Sequence, residues 1–105
     1  MFEEKRIRTC YINQLEYQTY KNLRQEFNRS SFDLIIDDGL HSPEANLNTV
    51  KFALEGLLKR GWLVIEDIPE RSLSVWITLF PLLQGLFQSW IVHCNGYYLF
   101  VARKN

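Results

Sequence analysis

The chain has 105 residues, of which 47% are hydrophobic and 14% aromatic, and this composition is sufficient for one domain with a hydrophobic core. Twelve basic and twelve acidic side chains cancel, so no net charge draws the molecule to nucleic acid or to an anionic membrane. No stretch reaches the ~20 apolar residues of a membrane span, and the N-terminal residues MFEEKRIR lack the apolar segment of a signal peptide. We therefore expect a soluble, cytoplasmic protein.

The two cysteines, Cys10 and Cys94, lie far apart in the sequence, each in an apolar run that is typical of a strand. A buried free thiol is the ordinary state of such a cysteine. We expect no disulfide, which is consistent with a cytoplasmic location.

The first elements are a strand and a helix. Residues 8–12 (RTCYI) are rich in β-branched and aromatic side chains and predict a strand. A helix is expected to begin at Asn13 or Gln14, because hydrophobic residues then recur at helical spacing. These positions are Tyr20, Leu23 and Phe27.

The central part of the chain predicts a strand, a helix and a second strand. Residues 34–36 (LII) and 62–65 (WLVI) are apolar without alternation, which is typical of parallel strands covered on both faces. Between them, Ser42 can cap a helix whose first position is Pro43. The helix is expected to end at Lys59-Arg60-Gly61, with the glycine in the left-handed conformation. This βαβ unit is the most specific structural feature of the sequence.

The C-terminal part predicts a helix and a hairpin. The helix begins near Ser72, and Pro81 should kink or break it, leaving a short second piece over residues 82–87. Residues 89–94 and 97–103 flank Asn95-Gly96, a dipeptide that accepts the two positive φ angles of a type I′ turn. The chain therefore ends in an antiparallel hairpin.

Acidic side chains occur where both strands of the βαβ unit end: Asp37 and Asp38 after the first, and Glu66 and Asp67 after the second. This edge is where open α/β sheets bind ligands. Carboxylates so placed repel one another unless a cation lies between them, and Mg²⁺ prefers oxygen ligands. His41 lies close enough to act as a general base. In the alternative interpretation, these acidic residues are solvated turn residues without a ligand.

The pattern of a strand, DDGLH, a capped helix and VIED resembles certain class I SAM-dependent methyltransferases. These are the metal-assisted O-methyltransferases similar to macrocin O-methyltransferase and the related cephalosporin hydroxylase-like proteins. The resemblance covers about residues 8–104 and is most specific over residues 32–68. It implies a truncated Rossmann-like α/β fold, with a parallel βαβ core, helices on both faces and a C-terminal antiparallel hairpin.

Within this fold, residues 1–105 form one truncated domain. Residues 1–31 are expected to supply a strand and a helix, residues 32–68 the βαβ core, and residues 69–105 a helix and the hairpin. The family's sheet order is 3-2-1-4-5-7-6, and the chain accounts for nothing before the third strand of that order.

The resemblance also implies roles for six residues. His41 corresponds to the catalytic base, Asp37 borders the cofactor pocket, and Asn13 lies near the adenine where relatives carry aspartate. The residues that match the family's Mg²⁺ ligands are Asp38, Glu66 and Asp67.

The glycine-rich turn that holds SAM in this family has no counterpart, because no glycine precedes Gly39. We expect the chain alone to bind SAM weakly or not at all, so that methyl transfer would need a partner chain with that half. Loss of the first strands exposes the edge of the strand at residues 33–36. The segment around Cys10 could pair with this edge, but we expect a second copy of the chain to do so in a homodimer.

Three functions are consistent with these features. The first is a methyltransferase-like domain of small-molecule O-methyltransferase type. The second is a non-catalytic binding or assembly module that keeps the fold. The third, a divalent-metal hydrolase, is disfavoured because the nearest basic residue to the acidic cluster is Arg71.

Overall fold

The computed structural model describes residues 3–4, 7–26 and 31–105. Two short strands, β1 (Glu3–Glu4) and β2 (Ile7–Arg8), form a small antiparallel pair. The main sheet consists of β3 (Phe32–Asp37), β4 (Leu57–Ile68), β5 (Phe87–Cys94) and β6 (Tyr97–Lys104). The helices are α1 (Tyr17–Glu26), α2 (Pro43–Gly56) and α3 (Leu73–Leu83), and a single 3-10 turn, Glu70–Ser72, precedes α3.

The main sheet has the order β3-β4-β6-β5. Strands β3 and β4 are parallel and are joined through α2, so the predicted βαβ unit is confirmed. The hairpin of β5 and β6 is also confirmed, and Asn95 and Gly96 have φ angles of 49° and 81°. The mixed α/β class is therefore confirmed, and β3 lies at the edge of the sheet as expected.

The N-terminal strand prediction is wrong for most of its length. Strand β2 ends at Arg8, and residues 9–13 form no regular structure. The helix begins at Tyr17, because a turn around Asn13 precedes it: the Asn13 side-chain oxygen accepts a hydrogen bond from the Leu15 backbone N–H. Phe27, a predicted helical position, and residues 28–30 lie outside the described residues.

Helix α2 ends at Gly56, earlier than predicted. The Lys104 ammonium group, from the end of β6, donates hydrogen bonds to the carbonyl oxygens of Leu54 and Leu57, both at 2.8 Å, and so caps the helix. The left-handed residue beyond it is Arg60, with φ 68°, and not Gly61. Gly61 is needed for a different reason, since a Cβ there would lie 2.9 Å from the Asp33 and Leu58 carbonyl oxygens.

Pro81 does not break α3, which continues to Leu83. Proline in the last turn removes few helical hydrogen bonds. The predicted second helical piece is absent, because β5 already begins at Phe87.

The described helices cover one face of the sheet only. The core on that face contains Leu63, Ile65 and Phe100 from the strands and Trp76 from α3, all at most 1% exposed. Trp76 packs on Phe100 with ring centroids 4.7 Å apart. The alternate residues on the strands point to the other face, where side chains such as Ile36, Trp62 and Trp90 are at least 40% exposed. The sequence predicted helices on both faces of the sheet. Within the described residues, helices cover only one face.

None of the described helices is long and apolar enough to cross a membrane. Cys94 is a free thiol, but it is exposed near the hairpin turn, because β5 is an edge strand.

Helix α1 packs against α2. The Tyr17 hydroxyl donates a 2.6 Å hydrogen bond to a Glu55 carboxylate oxygen, and the Tyr20 ring lies 5.2 Å from that of Phe52. Burial, and secondly the hydrogen bond to Glu55, raise the pKa of the Tyr17 hydroxyl above its usual value. The folded protein therefore holds this proton more tightly than the unfolded chain.

We predict that Tyr17→Phe lowers the free energy of unfolding by about 1–2 kcal/mol at neutral pH, because the hydrogen bond to Glu55 is lost. The difference from the unaltered chain should shrink as pH rises above the unfolded tyrosine pKa of ~10, since the raised pKa of Tyr17 stabilises the fold only below that range. Urea denaturation at several pH values measures this. Tyr11→Phe, at an exposed position, is the control. A difference that stays constant with pH would contradict the prediction.

Candidate functional site

Three side chains with metal-ligating atoms meet at one edge of the sheet: Asp38, His41 and Asp67. One ligand atom from each lies within 4.8 Å of the other two. His41 Nε2 is 4.0 Å from Asp67 Oδ2. Parallel pairing of Asp37 with Ile65 brings the C-terminal ends of β3 and β4 side by side, and the cluster therefore forms where the sequence predicted it.

Two of these residues have an unusual backbone conformation. His41 has a φ of 55° and Asp67 a φ of 54°, in the left-handed region that few residues other than glycine adopt. At Asp67 the register between β4 and β6 shifts, between Ile65 and Ile68, which is the signature of a β-bulge. Bulges and strained residues concentrate at functional sites, where they direct a side chain.

The cluster is accessible from solvent. The side chains of His41 and Asp67 are 39% and 54% exposed, and Asp38 is also exposed. His41 Nδ1, in contrast, is buried and has no hydrogen-bond partner among the described residues. Buried polar atoms without a partner are rare in native structures, so this one marks the surroundings of His41 as unusual.

Glu66 does not belong to this group. Its carboxylate is not among the ligand atoms that lie within 4.8 Å of one another. Glu66 lines a cavity of about 220 Å³ with Tyr97 and Leu99 of β6, and Asp67 also lines this cavity. The structure thus brings together two of the three predicted carboxylate ligands and adds the histidine.

The surroundings of Asp37 give it a role in stabilising the fold. Its carboxylate is 5% exposed and accepts hydrogen bonds from the Gly39 backbone N–H at 3.0 Å, from Asn46 Nδ2 at 2.9 Å and from Thr49 Oγ1 at 2.7 Å. Three donors satisfy most of a carboxylate's capacity. Asp37 lines a cavity of about 290 Å³, but its Oδ2 atom is bound by α2 and its Oδ1 atom by the Gly39 backbone.

Gln14 is the residue that the sequence reasoning left without a role. Its side-chain oxygen accepts a 2.8 Å hydrogen bond from the Leu40 backbone N–H, and its nitrogen donates to the hydroxyls of Tyr20 and Thr49, each at 3.3 Å. A Cβ at Gly39 would overlap the Gln14 amide. Gln14 therefore holds the loop that carries Asp38 and His41.

Asn13 lies beside the same loop, along a cavity of about 330 Å³ with Gly39 and Leu40. Its side-chain oxygen is used within its own turn, and its carbonyl accepts a hydrogen bond from Thr19 Oγ1. The structure places Asn13 near the loop but gives it a local structural role. Its predicted position near an adenine stays a prediction.

Comparisons with known proteins identify the fold. No protein-family model and no curated protein matches the chain. Among solved structures it is similar to one described as "MycE Methyltransferase from the Mycinamycin Biosynthetic Pathway in Complex with Mg and SAH", with a TM-score of 0.74 and 20% sequence identity. The similarity covers 98% of this chain and 33% of that chain. The chain thus has a methyltransferase-like fold and spans a third of that protein's length.

The neighbouring residues Asp37 and Asp38 allow a matched test of structural and site roles. We predict that Asp37→Asn lowers the free energy of unfolding by about 1–3 kcal/mol, because an amide cannot accept all the hydrogen bonds from α2 and Gly39. Asp38→Asn, at an exposed position, should change it by less than about 0.5 kcal/mol. Urea denaturation of both variants gives the comparison. Equal effects of the two substitutions on the free energy of unfolding would contradict the structural role of Asp37.

Proposed function

We propose that the chain is a methyltransferase-like domain that binds a divalent cation through Asp38 and Asp67, with His41 as the general base. The observation that carries this proposal is the convergence of the three side chains within 4.8 Å at the ligand-binding edge of the sheet. The fold supports it, and so does the Mg in the structure of the similar MycE methyltransferase.

The donor set suits a small divalent cation. Mg²⁺ is usually held by one or two carboxylates and keeps several waters, and the exposure of Asp38 and Asp67 leaves room for those waters. A bound cation also relieves the repulsion between the two carboxylates. The nearby imidazole makes Mn²⁺ an equally suitable ion.

In proton transfer from a substrate hydroxyl, Asp38 and Asp67 would hold the cation, and His41 would be the proton acceptor. A divalent cation, when bound, supplies Lewis-acid polarisation of the hydroxyl oxygen. His41 Nε2 faces the cluster and accepts the proton. Asp67, 4.0 Å away, stabilises the imidazolium that results. His41 would thus raise the nucleophilicity of the oxygen that receives a methyl group.

The residues present do not form a complete site for SAM. No glycine precedes Gly39, and the two residues expected at the cofactor, Asn13 and Asp37, use their side-chain oxygens in hydrogen bonds within the fold. Methyl transfer therefore requires a polypeptide segment that carries the glycine-rich turn. Within these 105 residues, the function is the metal-binding and proton-accepting side of the site.

Two other functions remain as competitors. A binding or assembly module is supported by the uncovered face of the main sheet, whose strands carry exposed apolar side chains. A metal-dependent hydrolase acting on phosphate esters has less support, because the residues lining the cavities beside the cluster include neither lysine nor arginine.

We predict that millimolar Mg²⁺ or Mn²⁺ raises the melting temperature, because a ligand at ~100 times its Kd stabilises the folded state by about 2.7 kcal/mol. Asp38→Asn and Asp67→Asn should abolish the increase. Glu66→Gln is the matched control and should keep it, because Glu66 lies outside the three-residue group.

Differential scanning calorimetry with and without each metal measures these effects. An unchanged melting temperature of the unaltered chain would contradict metal binding. Loss of the increase in Glu66→Gln would instead support the three-carboxylate set that the family resemblance implies.

We also predict that titration calorimetry of the chain with SAM, in the presence of Mg²⁺, shows no stoichiometric binding, because the cradle for the methionine part is missing. Clear one-to-one heat would contradict this part of the proposal. The metal titration serves as the control that the protein is folded and competent.

A further inference from the structure

The face of the main sheet opposite the helices carries an apolar surface, which we call the open face. Its most exposed side chains come from β3, β4 and β5 and are between 40% and 55% exposed: Leu34, Ile36, Trp62, Trp90 and Val92. The strand register places Leu34 beside Trp62, and the rings of Trp62 and Trp90 lie 6.0 Å apart. The surface is therefore continuous across the sheet.

We propose that the open face is the interface of a symmetric dimer, in which the sheets of two copies of this chain stack face to face. This proposal goes beyond the proposed function and does not depend on it, since Asp38, His41 and Asp67 take no part in the interface.

The area of the open face agrees with what a stable dimer needs. From the exposed fractions, its apolar area is on the order of 500 Å², which is near the upper end for the largest patch on a typical monomer. A standard interface buries about 800 Å² per partner, and in homodimers about 65% of that area is apolar. The open face thus supplies about the apolar area that one side of such an interface requires. Stacked sheets pack about 10 Å apart, a distance that apolar side chains fill.

The charges on the open face are complementary under a twofold axis. Glu66 follows Trp62 and Val64 on the same side of β4, at one end of the face, while Arg103 of β6 pairs with Trp62 at the other end. The Arg103 guanidinium lies 5.9 Å from the Trp62 ring centroid, which places it on this face. An axis that crosses the strands at Val64 exchanges the two ends. Glu66 of each copy then meets Arg103 of the second copy, which gives two ion pairs at the rim.

The edge of β3 is a less suitable interface. Pairing of two β3 strands would leave Trp62, Trp90 and Val92 in water. An antiparallel register centred on Ile35 would also place Asp33 of one copy opposite Asp37 of the other, and like charges opposite each other destabilise a sheet. The open face has neither disadvantage.

Sedimentation velocity of the full chain, from low to high micromolar concentration, tests the proposal. We expect a species of twice the 12.5 kDa chain mass. Trp90→Asp and Val92→Asp should each weaken dimerisation by at least about tenfold, because they place a charge in the apolar interface. Leu82→Asp, at a 71% exposed position on α3, is the matched control and should leave the dimer intact. A monomer at every concentration would overturn the proposal.

A charge-exchange cycle tests the orientation of the two copies. Glu66→Arg alone and Arg103→Glu alone should each weaken the dimer, because each opposes like charges across the axis. The double variant should recover most of the lost affinity. Circular dichroism of each variant establishes that the fold is kept. If the double variant is as weak as the sum of the single variants, the proposed pairing is wrong.

Fluorescence quenching by iodide distinguishes a dimer formed through the open face from one formed through the β3 edge. The indoles of Trp62 and Trp90 are partly exposed, whereas Trp76 is buried in the core and contributes a constant signal. Quenching should decrease as the protein concentration rises through the dimerisation range. A dimer whose tryptophans stay equally accessible would indicate pairing elsewhere and would overturn the proposal.

Discussion

The buried carboxylate of Asp37 is the constraint on which the site depends. It joins the end of β3 to α2 through Asn46 and Thr49, and it holds the following loop through the Gly39 backbone N–H. Because Thr49 donates its proton to Asp37, its oxygen accepts from Tyr20, whose hydroxyl lies 2.9 Å away, and this extends the network to α1. A carboxylate buried in this way is stable only when its hydrogen bonds are made, so the helix, the strand and the loop are fixed together.

The four acidic residues at the two strand ends have different surroundings, and this separates their roles. Asp37 faces inward to donors, whereas Asp38 points into the cluster with His41 and Asp67. Glu66 and Asp67 diverge because successive residues of a strand point to opposite sides and because the bulge turns Asp67 towards His41. One cluster of like charge in the sequence thus becomes a structural anchor, a candidate cation site and a charge on the open face.

The described helices cover one face of the sheet, and the other face is the surface proposed for dimerisation. In α/β proteins a parallel sheet is normally covered on both faces, whereas the described helices of this chain, which spans a third of the similar methyltransferase, cover one. The cluster lies at the end of the strands, whereas the open face lies along their length. Contacts on the open face would therefore leave Asp38, His41 and Asp67 accessible, so the proposed cation site and the proposed dimer interface do not compete for the same residues.

The sequence by itself determined the elements that depend on local patterns. The capped start of α2, the apolar strands that flank it and the Asn95-Gly96 turn each follow from a few neighbouring residues, and the meeting of Asp38 with Asp67 follows from the parallel pairing. The tertiary structure decided where distant groups act on those patterns. Helix α2 ends at Gly56 because Lys104, nearly fifty residues later, binds its last carbonyls. Asp37 differs from Asp38 through its donors on α2 and at Gly39, which the local sequence does not reveal. An apolar strand has the same composition whether one face or both are covered, because composition records hydrophobicity and not the neighbour that buries it.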